Sequence, residues 1–277
     1  MVISWFDPWK HPLCTCPEKY SLNPYTGCEH ACLYCYISSY IPHAFECRPK
    51  KHLLKRVKKD IKKLENKVIA ISNSSDPYPP MEKRYQLTRS VLKVLQHHQR
   101  SVLITTKSDI VVRDIDILKR MKAAVMLTIT TIQPVYNIEP NAPSPMKRIN
   151  AIRKLSRKGI PVGIRLDPII PCFDFEEVIK HASSAGASHV VASTLKLRPD
   201  AWKRLSTAFP AFAQKIAPLY FEKGELYRSS RYLPEKIRKE MLKIIKDEAE
   251  RRGLTFAACR EGFFNTGVGC DGSHLIG

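Results

Sequence analysis

Three thiols fall within eight residues in Cys28-Glu-His-Ala-Cys32-Leu-Tyr-Cys35, a C-x3-C-x2-C spacing. Thiolates that close can each hold one iron of a cubane cluster, whose usual full complement is four cysteines. The fourth iron is then left to an exchangeable ligand. A structural zinc site wants a fourth Cys or His, and His30 could serve only by straining so tight a loop. The spacing therefore marks Cys28, Cys32 and Cys35 as ligands of a 4Fe-4S cluster with one open iron. Cys14, Cys16 and Cys47 flank the triad, and Cys259 and Cys270 near the end of the chain have ten residues between them. Cys14, Cys16, Cys259 and Cys270 are candidates for a second metal centre, although spacing alone cannot show that they converge.

Such ligands need a scaffold, and the rest of the chain describes one. The chain has 277 residues, 44% hydrophobic and 26% charged, a balance that excludes wholesale disorder. No apolar run approaches the roughly 18 residues of a membrane-spanning helix, and the start lacks the basic and apolar stretches of a secretory signal. A cytoplasmic location is expected. In that reducing setting nine cysteines are metal ligands or reactive thiols before they are disulfides.

Residues 1–49 show no sustained period. Beyond them, Leu53, Leu54, Val57, Ile61 and Leu64 recur at helical spacing, which predicts a helix over about 50–66. Helices are expected again over 87–98, 108–121, 146–158 and 174–185. Strands are expected at 20–22, 68–72, 101–105, 124–130, 161–167 and 189–194. Gly159 and Gly186 each stop a helix just before a strand. This alternation predicts an α/β fold of right-handed βαβ units around a parallel sheet. Neither a Gly-x-Gly-x-x-Gly fingerprint nor a Walker A sequence is present, so an open or closed barrel is expected. Its chemistry belongs at the strand C-terminal ends, in the loops after 72, 105, 130, 167 and 194.

The cysteine spacing, with Tyr34 before the last thiol, resembles the radical S-adenosylmethionine (SAM) superfamily. Asn23-Pro-Tyr-Thr-Gly-Cys28, Ser75-Asp-Pro-Tyr-Pro-Pro-Met-Glu82, Leu87-Thr-Arg89, Thr106-Lys-Ser108, Arg113-Asp-Ile-Asp116, Glu139-Pro140 and Pro168-Ile-Ile-Pro171 are similar to its spore photoproduct lyase-related branch. The resemblance covers about 20–200. It implies a partial (β/α)6 barrel, a 4Fe-4S cluster whose open iron takes SAM, and reductive cleavage of SAM to a 5′-deoxyadenosyl radical. It also implies a reductant such as a ferredoxin or flavodoxin. The expected organisation is a Cys-containing segment over 1–19, the barrel over 20–200 and a helical extension over 201–277.

Within the resemblance, Tyr34 lies beside the adenine. Asn73, Ser74 and Asp76 replace the segment that contacts the SAM amino group. Lys107 ends a strand where an ammonium could meet the SAM carboxylate. Thr128 and Thr130 alternate along a strand and could both face the barrel interior. Arg165, a guanidinium within a strand, needs a partner, which is either Asp167 or SAM itself. Spore photoproduct lyases return a hydrogen atom to product from a cysteine near the second strand region. Residues 72–80 hold no cysteine here. Cys172, after Pro168-Ile-Ile-Pro171, is the candidate for that catalytic work, or a structural thiol.

The formal charge is +20, from 46 Lys and Arg against 26 Asp and Glu. Arg48, Lys50, Lys51, Lys55, Arg56, Lys58, Lys59, Lys62 and Lys63 crowd one stretch in which Asp60 is the sole acid. Such a run is either a solvated helix face or a docking surface for RNA or DNA through Lys50–Lys63. No sequence-reading nucleic-acid module is recognisable. The expected activity is radical chemistry on a nucleic-acid base or nucleotide. The alternatives are radical modification of a protein or small metabolite, and a nucleic-acid-binding protein with a structural or redox-sensing cluster.

Overall fold

The computed structural model describes residues 1–6, 12–71, 74–132, 137–264 and 269–277. Its centre is an eight-stranded sheet whose strands follow chain order. They are β1 (Ile3–Trp5), β2 (Tyr20–Leu22), β3 (Ile69–Ile71), β4 (Val102–Thr106), β5 (Ala123–Thr128), β6 (Val162–Ile169), β7 (His189–Thr194) and β8 (Thr255–Ala258). β1 runs antiparallel to β2, and every later neighbour pair is parallel.

Parallel strands require crossovers, which helices supply here. α1 (Leu53–Asp60) joins β2 to β3, and α2 (Leu87–His97) joins β3 to β4. α3 (Pro145–Ser156) joins β5 to β6, and α4 (Glu176–Ser184) joins β6 to β7. α5 (Pro199–Ala208), α6 (Pro210–Phe221) and α7 (Glu235–Arg251) lie between β7 and β8. Strands covered on both faces are largely apolar, and all six residues of β5 and of β7 are buried. Val91, Leu92 and Leu95 of α2 and Ile149, Ile152 and Leu155 of α3 join those strands in one core. β2–β7 are the six strands that the alternation predicts, and the fold is a partial (β/α)6 barrel.

Two segments differ from expectation. Residues 108–121 form a 3-10 turn, Asp109–Asp114, then a single α-turn, Ile115–Leu118. Ser108 caps the segment by accepting the Ile110 N–H at 3.3 Å. Arg113 then turns inward to Glu82 at 2.6 Å, and buried Asp114 takes Arg89 at 2.8 Å. Satisfying those buried charges fixes a tight turn where propensity favours a helix. The motifs around Glu82, Arg89 and Arg113 are thus one ion-pair buttress beneath the loop that carries Asp76.

The segment over 201–277 is not wholly helical. It adds a hairpin, Glu225–Tyr227 with Ser230–Tyr232, and places β8 beside β7. Gly253, at φ +74°, stops α7 before β8 just as Gly159 and Gly186 stop their helices. The chain then returns into the barrel, where Leu275 and Ile276 pack on Leu103, Ala124, Met126 and Val191. Gly272 has φ +86°, and a Cβ there would sit 2.5 Å from Met126 Sδ, so only glycine suits this plug. A buried ion pair between Lys19 and Asp271 ties the plug to the segment entering β2.

Candidate active site

After β2 the chain pairs Tyr25–Thr26 with Arg48–Pro49, which closes the cysteine loop on itself. The crossing is tight at Gly27, where φ is +77° and a Cβ would meet the Glu46 carbonyl oxygen at 2.5 Å. The next residue, Cys28, donates its N–H to the Ala44 carbonyl at 2.7 Å. The Cys35 N–H donates to the Cys32 carbonyl at 3.0 Å, and Arg204 Nη2 donates to the Cys35 carbonyl at 2.6 Å. Backbone bonds therefore fix the loop and leave its sulfurs for other work. All three thiols line one cavity of about 520 Å³ at the strand C-terminal ends.

Burial pushes all three thiols up, Cys28 to about 12, so any metal that binds must displace their protons. Among the described residues no three His, Cys, Asp or Glu side chains enclose a single ion. A cubane asks for no such point, because each thiolate holds its own iron. The donor set suits a cluster.

Two buried carboxylates organise the wall opposite. Asp76 accepts from Thr106 Oγ1 at 2.6 Å, the Lys107 N–H at 2.7 Å and the Tyr78 N–H at 2.9 Å. His30 Nε2 stands 3.3 Å from it. Burial alone would raise this carboxyl, but His30 and the donated hydrogen bonds override it and hold Asp76 near 2. Glu139 receives the Tyr34 hydroxyl, Thr130 Oγ1 at 2.9 Å and Arg148 Nη2 at 2.6 Å. Burial opposes its ionisation too, and Arg148 with Lys107 outweighs it, holding Glu139 to about 2. Lys107 Nζ lies 3.9 Å from Glu139 and 5.6 Å above the Tyr34 ring. Burial would discharge this ammonium, and Glu139 keeps it charged.

A family model described as the radical SAM superfamily matches residues 22–185, more than half of the chain. The chain belongs to the radical SAM superfamily. It is 36% identical over 177 residues to an uncharacterized protein of Methanocaldococcus jannaschii, covering 58% of this chain and 64% of that relative. It is 23% identical over 262 residues to a radical SAM Nalpha-GlyT isomerase of Pseudomonas phage M6, covering 88% of this chain and 54% of that protein. Spore photoproduct lyase with bound AdoMet and dinucleoside spore photoproduct shares the fold at a TM-score of 0.62 and 19% identity, over 86% of this chain and 75% of that one. This radical SAM protein is thus an enzyme whose family uses a 4Fe-4S cluster and SAM. Among the described residues no helix is long and apolar enough to cross a membrane.

Tyr34, Ser74, Asp76, Lys107, Thr128 and Arg165 line the triad's cavity. Their individual placements refine the roles expected of them. Asp76 has both oxygens occupied by protein donors, so it positions the loop ends of β3 and β4. Thr130 spends its hydroxyl on Glu139 and is not part of the cavity wall. Arg165 donates to Asp167 at 2.6 Å, the intramolecular partner of the two considered. Asn73 lies outside the described residues. Cys172 requires a correction. It sits exposed in the turn after β6, at φ +73°, and does not line the cavity. The Pro-Ile-Ile-Pro run carries the chain out of the barrel before the thiol is reached.

Sequence reasoning missed His30, Glu139 and Arg148. Glu139 was visible only as part of a Glu-Pro motif, because its role depends on Arg148 arriving from α3. The loop after β7 contributes Lys196, paired with buried Glu261 at 2.6 Å. That loop was among those expected to carry chemistry, but no residue in it had been singled out.

Proposed function

We propose that this radical SAM enzyme acts on a nucleic-acid base or nucleotide, with Cys28, Cys32 and Cys35 holding the cluster. Bound there, cluster and SAM supply the 5′-deoxyadenosyl radical that the family uses. The supporting observation is the cavity, which gathers the triad with Tyr34 and Lys107 at the strand ends. Lys107 keeps its charge by facing Glu139 at 3.9 Å, a separation that leaves its ammonium room to bind the SAM carboxylate. Tyr34 is braced at its hydroxyl by Glu139 and Thr130, so its ring is a fixed wall against which an adenine can rest. Ser74 and Thr128 supply hydroxyls on the same wall.

The substrate class rests on charge. Lys51, Lys55, Lys58, Lys59, Lys62 and Lys63 are all exposed around α1, while Asp60 is buried under the Val2 and Ile3 N–H groups. The outer face of this helix therefore carries positive charge, and the one acid among residues 48–63 is turned inward. A βα helix begins at the strand C-terminal end, which brings its first lysines toward the mouth of the barrel. The neighbour with bound dinucleoside spore photoproduct agrees with a nucleic-acid-derived substrate. Repair by the spore photoproduct lyase route would need another hydrogen donor, since Cys172 is outside the cavity.

The deciding experiment is anaerobic incubation of the reduced, cluster-loaded protein with SAM, assayed for 5′-deoxyadenosine with and without cellular RNA or damaged DNA. Stimulation by either polymer, with a new modified nucleoside in the digest, is the expected result. Turnover that ignores both polymers and responds to a peptide or metabolite fraction would overturn the substrate class. The radical SAM assignment would survive that outcome.

A further inference from the structure

Four cysteines outside the triad meet in the structure. Cys14 and Cys16 come from the segment before β2, Cys259 from the turn leaving β8, and Cys270 from the C-terminal plug. Cys270 Sγ lies 3.2 Å from Cys16 Sγ, across 254 residues of sequence. Cys16 also hydrogen-bonds Cys14, and Cys270 also hydrogen-bonds Cys259. The sulfurs thus form a chain in the order Cys14, Cys16, Cys270, Cys259, and its two ends interact electrostatically with each other. All four are free thiols.

The backbone at Cys259 and beside Cys270 is held independently of the sulfurs. The Cys259 N–H donates to the Ala192 carbonyl at 2.8 Å, and Ser193 Oγ donates to the Cys259 carbonyl at 3.0 Å. Beside Cys270, the Ser273 N–H donates to Asp271 Oδ1 at 2.9 Å, and Asp271 pairs with Lys19. Two cations also face the group. Lys19 acts on Cys16, and Arg165 acts on both Cys16 and Cys259. Four thiolates around a divalent ion carry a surplus of negative charge, and buried cations are what such a surplus requires.

We propose that Cys14, Cys16, Cys259 and Cys270 form a second metal centre, a four-thiolate site for a thiophilic metal. It holds zinc or iron, either as one ion or as a small iron–sulfur unit, and clamps the two ends of the chain across the open seam of the barrel. As they stand, no three of the sulfurs enclose one point. The metal would replace the S–H···S contacts, since a tetrahedron with metal–sulfur bonds of ~2.3 Å has sulfur–sulfur edges of about 3.8 Å. Four-sulfur sets of this kind select zinc or iron over harder cations. The centre shares no ligand with Cys28, Cys32 and Cys35, so it stands or falls apart from the proposed reaction.

The test removes the first cluster. A Cys28→Ala, Cys32→Ala, Cys35→Ala chain, purified anaerobically, should still carry metal, and zinc, iron and sulfide assays tell a single ion from an iron–sulfur unit. Adding Cys16→Ser and Cys270→Ser should lower that metal at least fivefold. Cobalt(II) added to the metal-stripped triad-free chain should give thiolate-to-cobalt charge-transfer absorption, and the serine variant should not. If the serine variant fails to fold by circular dichroism, thiol accessibility decides instead. The four quartet thiols of the triad-free chain should resist a thiol reagent until a chelator is added. A triad-free chain that is metal-free, reacts at all four thiols without chelator and gives no cobalt–thiolate band overturns the proposal.

Discussion

Lys107 Nζ stands 3.9 Å from the Glu139 carboxylate, close enough to stay charged and too far to be consumed by a tight pair. Glu139 meanwhile holds Arg148 at 2.6 Å, so its negative charge is chiefly spent on another cation. The lysine is thereby presented to the cavity. Lys107→Ala should weaken SAM binding by about 10–100-fold, the range of one charge-assisted hydrogen bond, and leave cluster content unchanged. Equilibrium binding of SAM to the loaded protein checks this. An unchanged dissociation constant would remove Lys107 from the site.

Cys32→Ala should abolish the cluster outright. Each thiolate of the triad holds an iron that no neighbour can reach, and the backbone bonds of the loop do not depend on the sulfur. Iron and sulfide per chain and the visible absorption of the reconstituted variant give the answer. Normal loading of the triad site in this variant would sink the ligand assignment.

The barrel was legible in the sequence because its strands are short apolar runs and glycines punctuate the helices ahead of them. β8 was equally punctuated, by Gly253, but Thr255–Ala258 is brief and follows a 17-residue helix that dominates the local pattern. The cysteine triad was legible because its ligands are near neighbours in the chain. Glu139, Arg148 and His30 were not, because their roles arise only when the cysteine loop, the loop after β5 and helix α3 bring buried charges together. Cys172 misled for the complementary reason. Its position in the chain marks a strand end, and only the path of the following turn shows that it leaves the barrel.

Acid should release the wall of the cavity. Asp76 and Glu139 are both held near 2, below their usual values of 3.8 and 4.5. Carboxyls depressed in the folded state stabilise it fully above their unfolded values and lose that contribution as pH falls through the folded ones. Denaturant unfolding midpoints should therefore drop between about pH 5 and pH 2. Glu139→Gln should cost about 3 kcal/mol near neutrality by leaving Arg148 buried without its partner, and the gap from wild type should shrink through that acid window. A gap that stays constant with pH would show that Glu139 is not ionised in the folded protein.

The lysines of α1 test the substrate class. Leu53, Val57 and Ile61 are buried on one side, and Asp60, the sole acid of the run, turns inward to the Val2 and Ile3 N–H groups. Lys55, Lys58, Lys59 and Lys62 are left exposed on the other side. Each phosphate they neutralise releases condensed counterions, so affinity should fall by about 0.7–0.9 log units per log unit of salt for each contact. Changing the four lysines to Glu should weaken RNA or DNA binding and flatten that slope by about 3 if every one touches a phosphate. Neither SAM affinity nor cluster content should move, because the buried stripe and the cysteine loop are untouched. Binding measured across a salt series decides between a docking surface and a solvated face. A reversed variant that binds polymer as tightly as wild type, with the same slope, makes α1 a solvated face and moves a protein or small-molecule substrate ahead.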